Sequence, residues 1–269
     1  MNAPALIDVF VGPGCAGNRA AVVLLKSWPA DSEMQRVAAE QDVAATAFVV
    51  EAEARAIRWF SPEAEIGLCG HGTLAAAHLL FTRDSALAVL RFRTRSGAML
   101  EARREAGGCS LGLPAVAVSP DSTTAAVAAM GGAALGTWRS ALGYTVMLYA
   151  TEAEIRALSP DLAALAALGT DQFIATARGD SSDFVSRVFV PGAGNDEDAA
   201  TGSAHAVLAP FWAGRLGVAK CAAIQASAQG GSVTCCIDGD IVWVGGNCRV
   251  VDHCLLGWTT PERHRSVPE

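Results

Sequence analysis

The sequence predicts an α+β fold of two lobes related by a pseudo-twofold axis. Three observations carry that expectation: a large apolar core, an internal echo between the two halves, and the same order of strands and helices around each copy of the echo. The chain has 269 residues, of which 51% are hydrophobic and 17% charged, against about 25% charged in an average soluble protein. That balance excludes a disordered chain. The length exceeds one ordinary core of about 100–150 residues, so one enlarged unit or two fused lobes are the choices.

The echo decides between them. Cys69-Gly70-His71-Gly72-Thr73-Leu74 in the first half is answered by Thr201-Gly202-Ser203-Ala204-His205-Ala206 in the second, with Gly70 and Gly202 standing 132 residues apart. The same spacing matches Glu65 with Glu197. Alanine-rich helices can resemble one another by composition alone, but here glycine, carboxylate and capping signals agree together.

Taken in order, residues 6–11 read as a strand and residues 20–25 as a buried apolar strand. Ser32-x-x-Gln35 then has the pattern of a capping box opening a helix with Met34, Val37 and Ala38 on one face. A short apolar strand follows over 46–50, then a helix over about 70–81 and a β-rich segment over 89–99. Pro114, Pro120 and a Ser/Thr cluster interrupt the pattern over 115–124, which divides the chain into lobes 1–116 and 117–269, with the C-terminal segment able to pack back on the first lobe. The second lobe repeats the order: a strand over 145–149, a Thr151-x-x-Glu154 capping box with a helical stretch to 167, a strand over 172–176, a helix over about 202–213, and strands over 232–244 turned at Asp238-Gly239.

Each glycine-led segment is a loop-to-helix junction. The free N–H groups and positive dipole end of a helix start attract a carboxylate or a developing oxyanion, and glycine lets a ligand come close to the backbone. A helix start also favours the anionic form of a thiol, making Cys69 a candidate base. His71 is a candidate proton relay, and Asp198 and Ser203 flank the second start. The plainer alternatives are a small buried Cys69, a satisfied core His71, an Asp198 that only caps a helix, and a Ser203 sitting passively in a first turn.

Several functions are set aside on composition. A net charge of −7 without a basic cluster argues against nucleic acid or an acidic membrane as partner. No apolar run reaches the roughly 18–20 residues of a membrane span, and the first ten residues lack the basic region of a signal peptide; a cytoplasmic protein is expected. The eight cysteines, with no C-x-x-C among them, read as reduced thiols without a structural metal, His253-Cys254 staying unassigned. Gly12-Pro13-Gly14-Cys15-Ala16-Gly17 matches a dinucleotide fingerprint literally, but the apolar run after it is β-type. The six tryptophans, Trp258 included, form no stripe; Trp59 or Trp212 is the candidate for lining a pocket.

A resemblance sharpens this reading. Phe189-Val190-Pro191-x-x-Gly194-x-x-Glu197-Asp198-x-Ala200-Thr201-Gly202-Ser203-Ala204 is similar to the signature of the phenazine-biosynthesis PhzF-like isomerase family. Asp8-Val9-Phe10 with Gly17-Asn18, Arg58-Trp59-Phe60-Ser61-Pro62, Arg95-Ser96-Gly97 and Val244-Gly245-Gly246 extend it over nearly the whole chain. The resemblance implies a diaminopimelate epimerase-like fold, each lobe a mixed sheet or barrel wrapped on a central helix. It also implies a homodimer, no organic cofactor or metal, and a proton shift on a small, carboxylate-bearing substrate. It assigns His71, Asp198 and Ser203 to the cleft, with Gly70, Gly72 and Gly202 presenting backbone amides to the substrate; Asn18 and Thr201 are expected to bind substrate as well.

One position departs from the family. Where relatives carry a glutamate as principal acid/base, this chain has Ala45, within Asp42-Val43-Ala44-Ala45-Thr46-Ala47-Phe48. Cys69 resembles the first catalytic cysteine of diaminopimelate epimerases and proline racemases, and Thr201 stands where their second cysteine would be. The expected function is a cofactor-independent isomerase or epimerase. The alternatives are a lyase, dehydratase or cyclase using Asp198 and Cys69, and a catalytically inactive ligand-binding homologue.

Overall fold

Strand pairing repeats itself along the chain, and the repetition builds the molecule. The computed structural model describes residues 3–52 and 55–251; His253, Cys254 and Trp258 lie outside them. The first half runs β1 (Ala5–Val11), β2 (Asn18–Leu25), α1 (Asp31–Gln41), β3 (Ala45–Val50), β4 (Ala56–Phe60), β5 (Glu65–Ile66), α2 (Gly70–Arg83), β6 (Val89–Arg93), β7 (Met99–Glu105) and β8 (Gly108–Pro114). The second runs β9 (Ser119–Asp121), α3 (Thr124–Met130), β10 (Gly136–Ser140), β11 (Tyr144–Leu148), α4 (Glu152–Ala157), α5 (Leu162–Ala167), β12 (Gln172–Arg178), β13 (Phe184–Phe189), α6 (Gly202–Leu216), β14 (Lys220–Gln225), β15 (Gly231–Asp238) and β16 (Ile241–Val250).

In the first half β2 pairs parallel with β3, β3 antiparallel with β4, β4 parallel with β6, and β6, β7 and β8 follow antiparallel. In the second, β11 pairs parallel with β12, β12 antiparallel with β13, β13 parallel with β14, and β14, β15 and β16 follow antiparallel. A parallel pair needs a crossover, and α1 and α2 supply it in one half, α4 with α5, and α6, in the other.

The long strand β16 serves both halves. It pairs with β15 and β8 along its first part and with β1 along its second. The strands of the first half thereby close into a ring around α2, while α6 packs against β14, β15, β16 and β8. Both helices are enclosed over most of their length and are accordingly rich in apolar residues. Leu74, Ala75, Ala76, Ala77, Leu79 and Leu80 are buried on α2, and Ala204, His205, Ala206, Val207, Leu208 and Ala209 on α6. The alanines let strands approach a central helix closely. Among the described residues no helix is long and apolar enough to cross a membrane, and the seven described cysteines are free thiols.

Two helices differ from the sequence reading. α1 begins at Asp31 with Ala30 as N-cap and no side-chain cap, which places Ser32 inside the helix, and Gln35 donates to the carbonyls of Ser61 and Pro62, both at 2.9 Å. The Thr151/Glu154 capping box does form, but its helix ends at Ala157 and a second one starts after Asp161, since Pro160 cannot continue it. The glycine-rich segment after β1 turns directly into the antiparallel β2, with no helix behind it to receive a pyrophosphate. Trp212 belongs to the core: it stacks on Phe184 and its Nε1 donates to Thr176 Oγ1 at 3.0 Å.

Candidate active site at two helix starts

The pseudo-twofold brings the two glycine-led helices together at their first residues. A Cβ added to Gly70 would lie 3.8 Å from Cα of Gly202, and one added to Gly202 would lie 3.9 Å from Cα of Gly70. Two helix starts, each with amides unused by its own helix, therefore face one another. Phe10 closes the floor. It sits in the left-handed region at φ 66°, a costly conformation for a bulky residue, imposed where β1 slips its register against β16 between Val9 and Val11. Its ring reaches towards Gly202 and Gly246.

Cys69 is the N-cap of α2, and its Sγ accepts from the Gly72 amide at 3.4 Å. That amide is thereby engaged within the protein, and the close packing of Gly72 against Trp59 and Cys69 gives its glycine a steric reason. Sγ also lies 3.5 Å from Nδ1 of His71. Burial pulls the His71 imidazole down, but the Cys69 sulfur, its hydrogen bond and the Asp198 carboxylate outweigh it and raise its pKa to about 9. Cys69 and His71 thus form a contact pair within electrostatic reach of Asp198.

Asp198 is held through both carboxylate oxygens and through its main chain. Asn18 Nδ2 donates to its Oδ1 at 2.9 Å, Thr201 Oγ1 donates to its Oδ2 at 2.6 Å, and its main-chain amide donates to Val188 at 3.0 Å. Asn18 and Thr201 both donate to this carboxylate; Thr201 also spends its amide on Gln225 Oε1 at 2.8 Å. Gln225 is a site residue that the sequence did not reveal, because a single glutamine in a strand has no signature. Fully buried, it binds the Asp198 carbonyl at 2.7 Å as well and fixes the loop ahead of α6. Ser203 Oγ accepts from Gln172 Nε2 at 3.4 Å, another glutamine with no advance signal.

The matched carboxylates Glu65 and Glu197 brace these loops. Arg58 on β4 grips Glu65 at 2.7 and 2.8 Å, and Arg187 on the equivalent strand β13 grips Glu197 at 2.7 and 2.9 Å. Such forked pairs fix geometry as well as charge. Ala45 is fully buried at the start of β3, opposite Ala20. Its neighbour Ala44 lines a cavity of about 530 Å³ with Asn18, Asp42, Asn195, Asp198 and Gln229, leading to the Asp198 side of the site.

Residues 7–247 match the family described as phenazine biosynthesis-like protein. An uncharacterized isomerase of Pseudomonas aeruginosa is 44% identical over 248 residues, spanning 91% of this chain and 94% of its own. A phenazine biosynthesis protein of the PhzF family from Enterococcus faecalis superposes with a TM-score of 0.87 at 34% identity, over 94% of this chain and 98% of its own. A hydroxyproline epimerase from Agrobacterium vitis, solved with trans-4-hydroxy-L-proline, shares the fold at a TM-score of 0.55 and 10% identity, over 93% and 90% of the two chains.

Proposed function

The chain belongs to the phenazine biosynthesis-like family, and from that premise we propose that it is a cofactor-independent isomerase moving a proton next to the carboxylate or carbonyl of a small metabolite. One observation carries the reading: the Cys69–His71 pair on one helix start and the thrice-held Asp198 beside the other, with Gly70 and Gly202 face to face between them.

In this mechanism the amides at the helix starts bind the substrate carboxylate and stabilise the charge that spreads onto it after deprotonation. The Cys69 thiolate takes the proton from the adjacent carbon. His71, held protonated at neutral pH, gives its own proton to the second carbon, and the Cys69 thiol then returns one to the imidazole. Asp198 and Ser203 hold the substrate's polar groups from the facing helix. The pair does the work that a glutamate at position 45 does in relatives, since Ala45 has no titratable group. A homodimer in the cytoplasm, with a carboxylate-bearing small molecule as its partner, belongs to the same proposal.

Thr201 is committed to Asp198 and Gln225, so no second base mirrors Cys69 across the cleft. One-sided deprotonation also suits a lyase that expels a leaving group, which is the second reading. The test is incubation in deuterated water with a panel of small amino, imino and hydroxy acids, followed by proton NMR and mass spectrometry. Wild type is expected to exchange the proton beside the carboxylate, and Asp198→Asn and Cys69→Ser to lose about 100-fold or more. Undiminished exchange in both variants overturns the assignment. A product lighter by one water favours the lyase, and activity appearing only in Ala45→Glu marks an inactive binding homologue.

A further inference from the structure

Strand register identifies the symmetry mate of Ala45. Thr46 lies opposite Phe60 on β4, and Phe173 lies opposite Phe189 on β13. Phe60 and Phe189 each follow their clamp arginine, Arg58 or Arg187, by two positions, so the two frames superimpose. The residue before Thr46 is Ala45, and the residue before Phe173 is Gln172. In the same frame His71 and Ser203 are mates, and in the second half the mates touch: Gln172 Nε2 donates to Ser203 Oγ at 3.4 Å. That bond occupies the serine as acceptor and leaves its own proton free to be donated elsewhere.

The other end of the amide is the informative one. Gln172 Oε1 is shielded from solvent and has no hydrogen-bond partner among the described residues. A buried carbonyl oxygen left unpaired is costly, and native structures rarely keep one without a reason. The amide stands beside Ser203 in the first turn of the second glycine-led helix. At the equivalent position the first half has only the methyl of Ala45.

We infer that Gln172 is a substrate-recognising residue whose Oε1 accepts a hydrogen bond from an N–H or O–H next to the substrate carboxylate. The inference rests on the carboxylate-binding cleft proposed above and names the residue that reads the amino, imino or hydroxy group of its ligand. A carboxylate with no donor there leaves Oε1 unpaired and binds more weakly.

Two planar probes of equal size isolate this bond: pyrrole-2-carboxylate carries a ring N–H where furan-2-carboxylate carries a ring oxygen, and both share the flat geometry of a deprotonated carbon. In isothermal titration with the full chain, pyrrole-2-carboxylate is expected to bind about tenfold more tightly, the gain of one well-placed buried hydrogen bond. In Gln172→Met the ratio falls to about one through weaker pyrrole binding alone, with furan affinity kept within about twofold. Equal affinities in wild type, a preference for furan, or a ratio unchanged in Gln172→Met each overturn the inference while leaving the cleft intact. Binding of neither probe overturns the carboxylate cleft and the inference together. Should Gln172→Met fail to fold, Gln172→Leu takes its place with the same expected ratio of about one.

Discussion

His71 and His205 stand near the same two helix starts and are driven in opposite directions. At His71 burial is outweighed by Cys69 and Asp198, and the pKa rises to about 9; at His205 burial dominates a hydrogen bond to the Thr201 carbonyl and the pKa falls to about 4. Both start from 6.5 when exposed. The folded chain therefore keeps a proton on His71 that the unfolded chain loses, so its stabilising contribution is complete below pH 6.5 and disappears as pH rises through about 9. The unfolded chain takes a proton that folded His205 refuses, so that residue withdraws stability as pH falls from 6.5 towards 4. NMR of the ring protons should give a His71 midpoint near 9 in wild type and a clearly lower one in Cys69→Ser. An unchanged midpoint would mean that the sulfur does not hold the proton there. Proton exchange on substrate should fall over the same alkaline limb.

At the level of elements, the site is a meeting of two helix starts, and a methyl group is enough to test it. Gly70 has no atom nearer than 3.8 Å to the position of an added Cβ, and that atom is Cα of Gly202. Gly70→Ala is therefore expected to fold normally, with stability unchanged or raised by up to about 1 kcal/mol in urea titration, while solvent exchange into substrate drops at least tenfold as the methyl fills the space between the amides. Loss of stability without loss of exchange would assign the glycine to packing alone. The helix starts were legible because glycines at a fixed spacing survive in sequence as a pattern. The carboxylates at the same spacing were legible as a pattern but not as a role, since Glu65 and Glu197 answer to arginines on strands that only the fold brings near. Gln35 shows the same limit. Its capping pattern is local, but the helix starts one residue ahead of Ser32, and the Gln35 amide donates to the carbonyls of Ser61 and Pro62 on a loop distant in sequence. Gln225 and Gln172 had no signal at all, because a buried amide is recognised only by the atoms around it.

For the whole molecule, the divide over residues 115–124 is a divide in sequence order that the strands do not respect. β16 lies at the far end of the chain, yet it fills the gap between β8 and β1 and so closes the ring around α2. Without it, both edges of the first half expose unpaired backbone, and the apolar face of α2 loses part of its cover; exposed edges of this kind pair with other chains. Residues 1–116 expressed alone are therefore expected to aggregate or to unfold without a cooperative transition. The full chain should melt in one calorimetric transition, because β16 makes the burial of α2 and the pairing of β15 depend on the same strand. A circular permutant that begins at residue 241, with the old termini joined, keeps β16 adjacent in sequence to β1 and tests the point from the other side: its fragment carrying β16 followed by residues 1–116 should recover a cooperative melt that residues 1–116 lack. If residues 1–116 melt cooperatively by themselves, the first half is an independent lobe and β16 only docks on it.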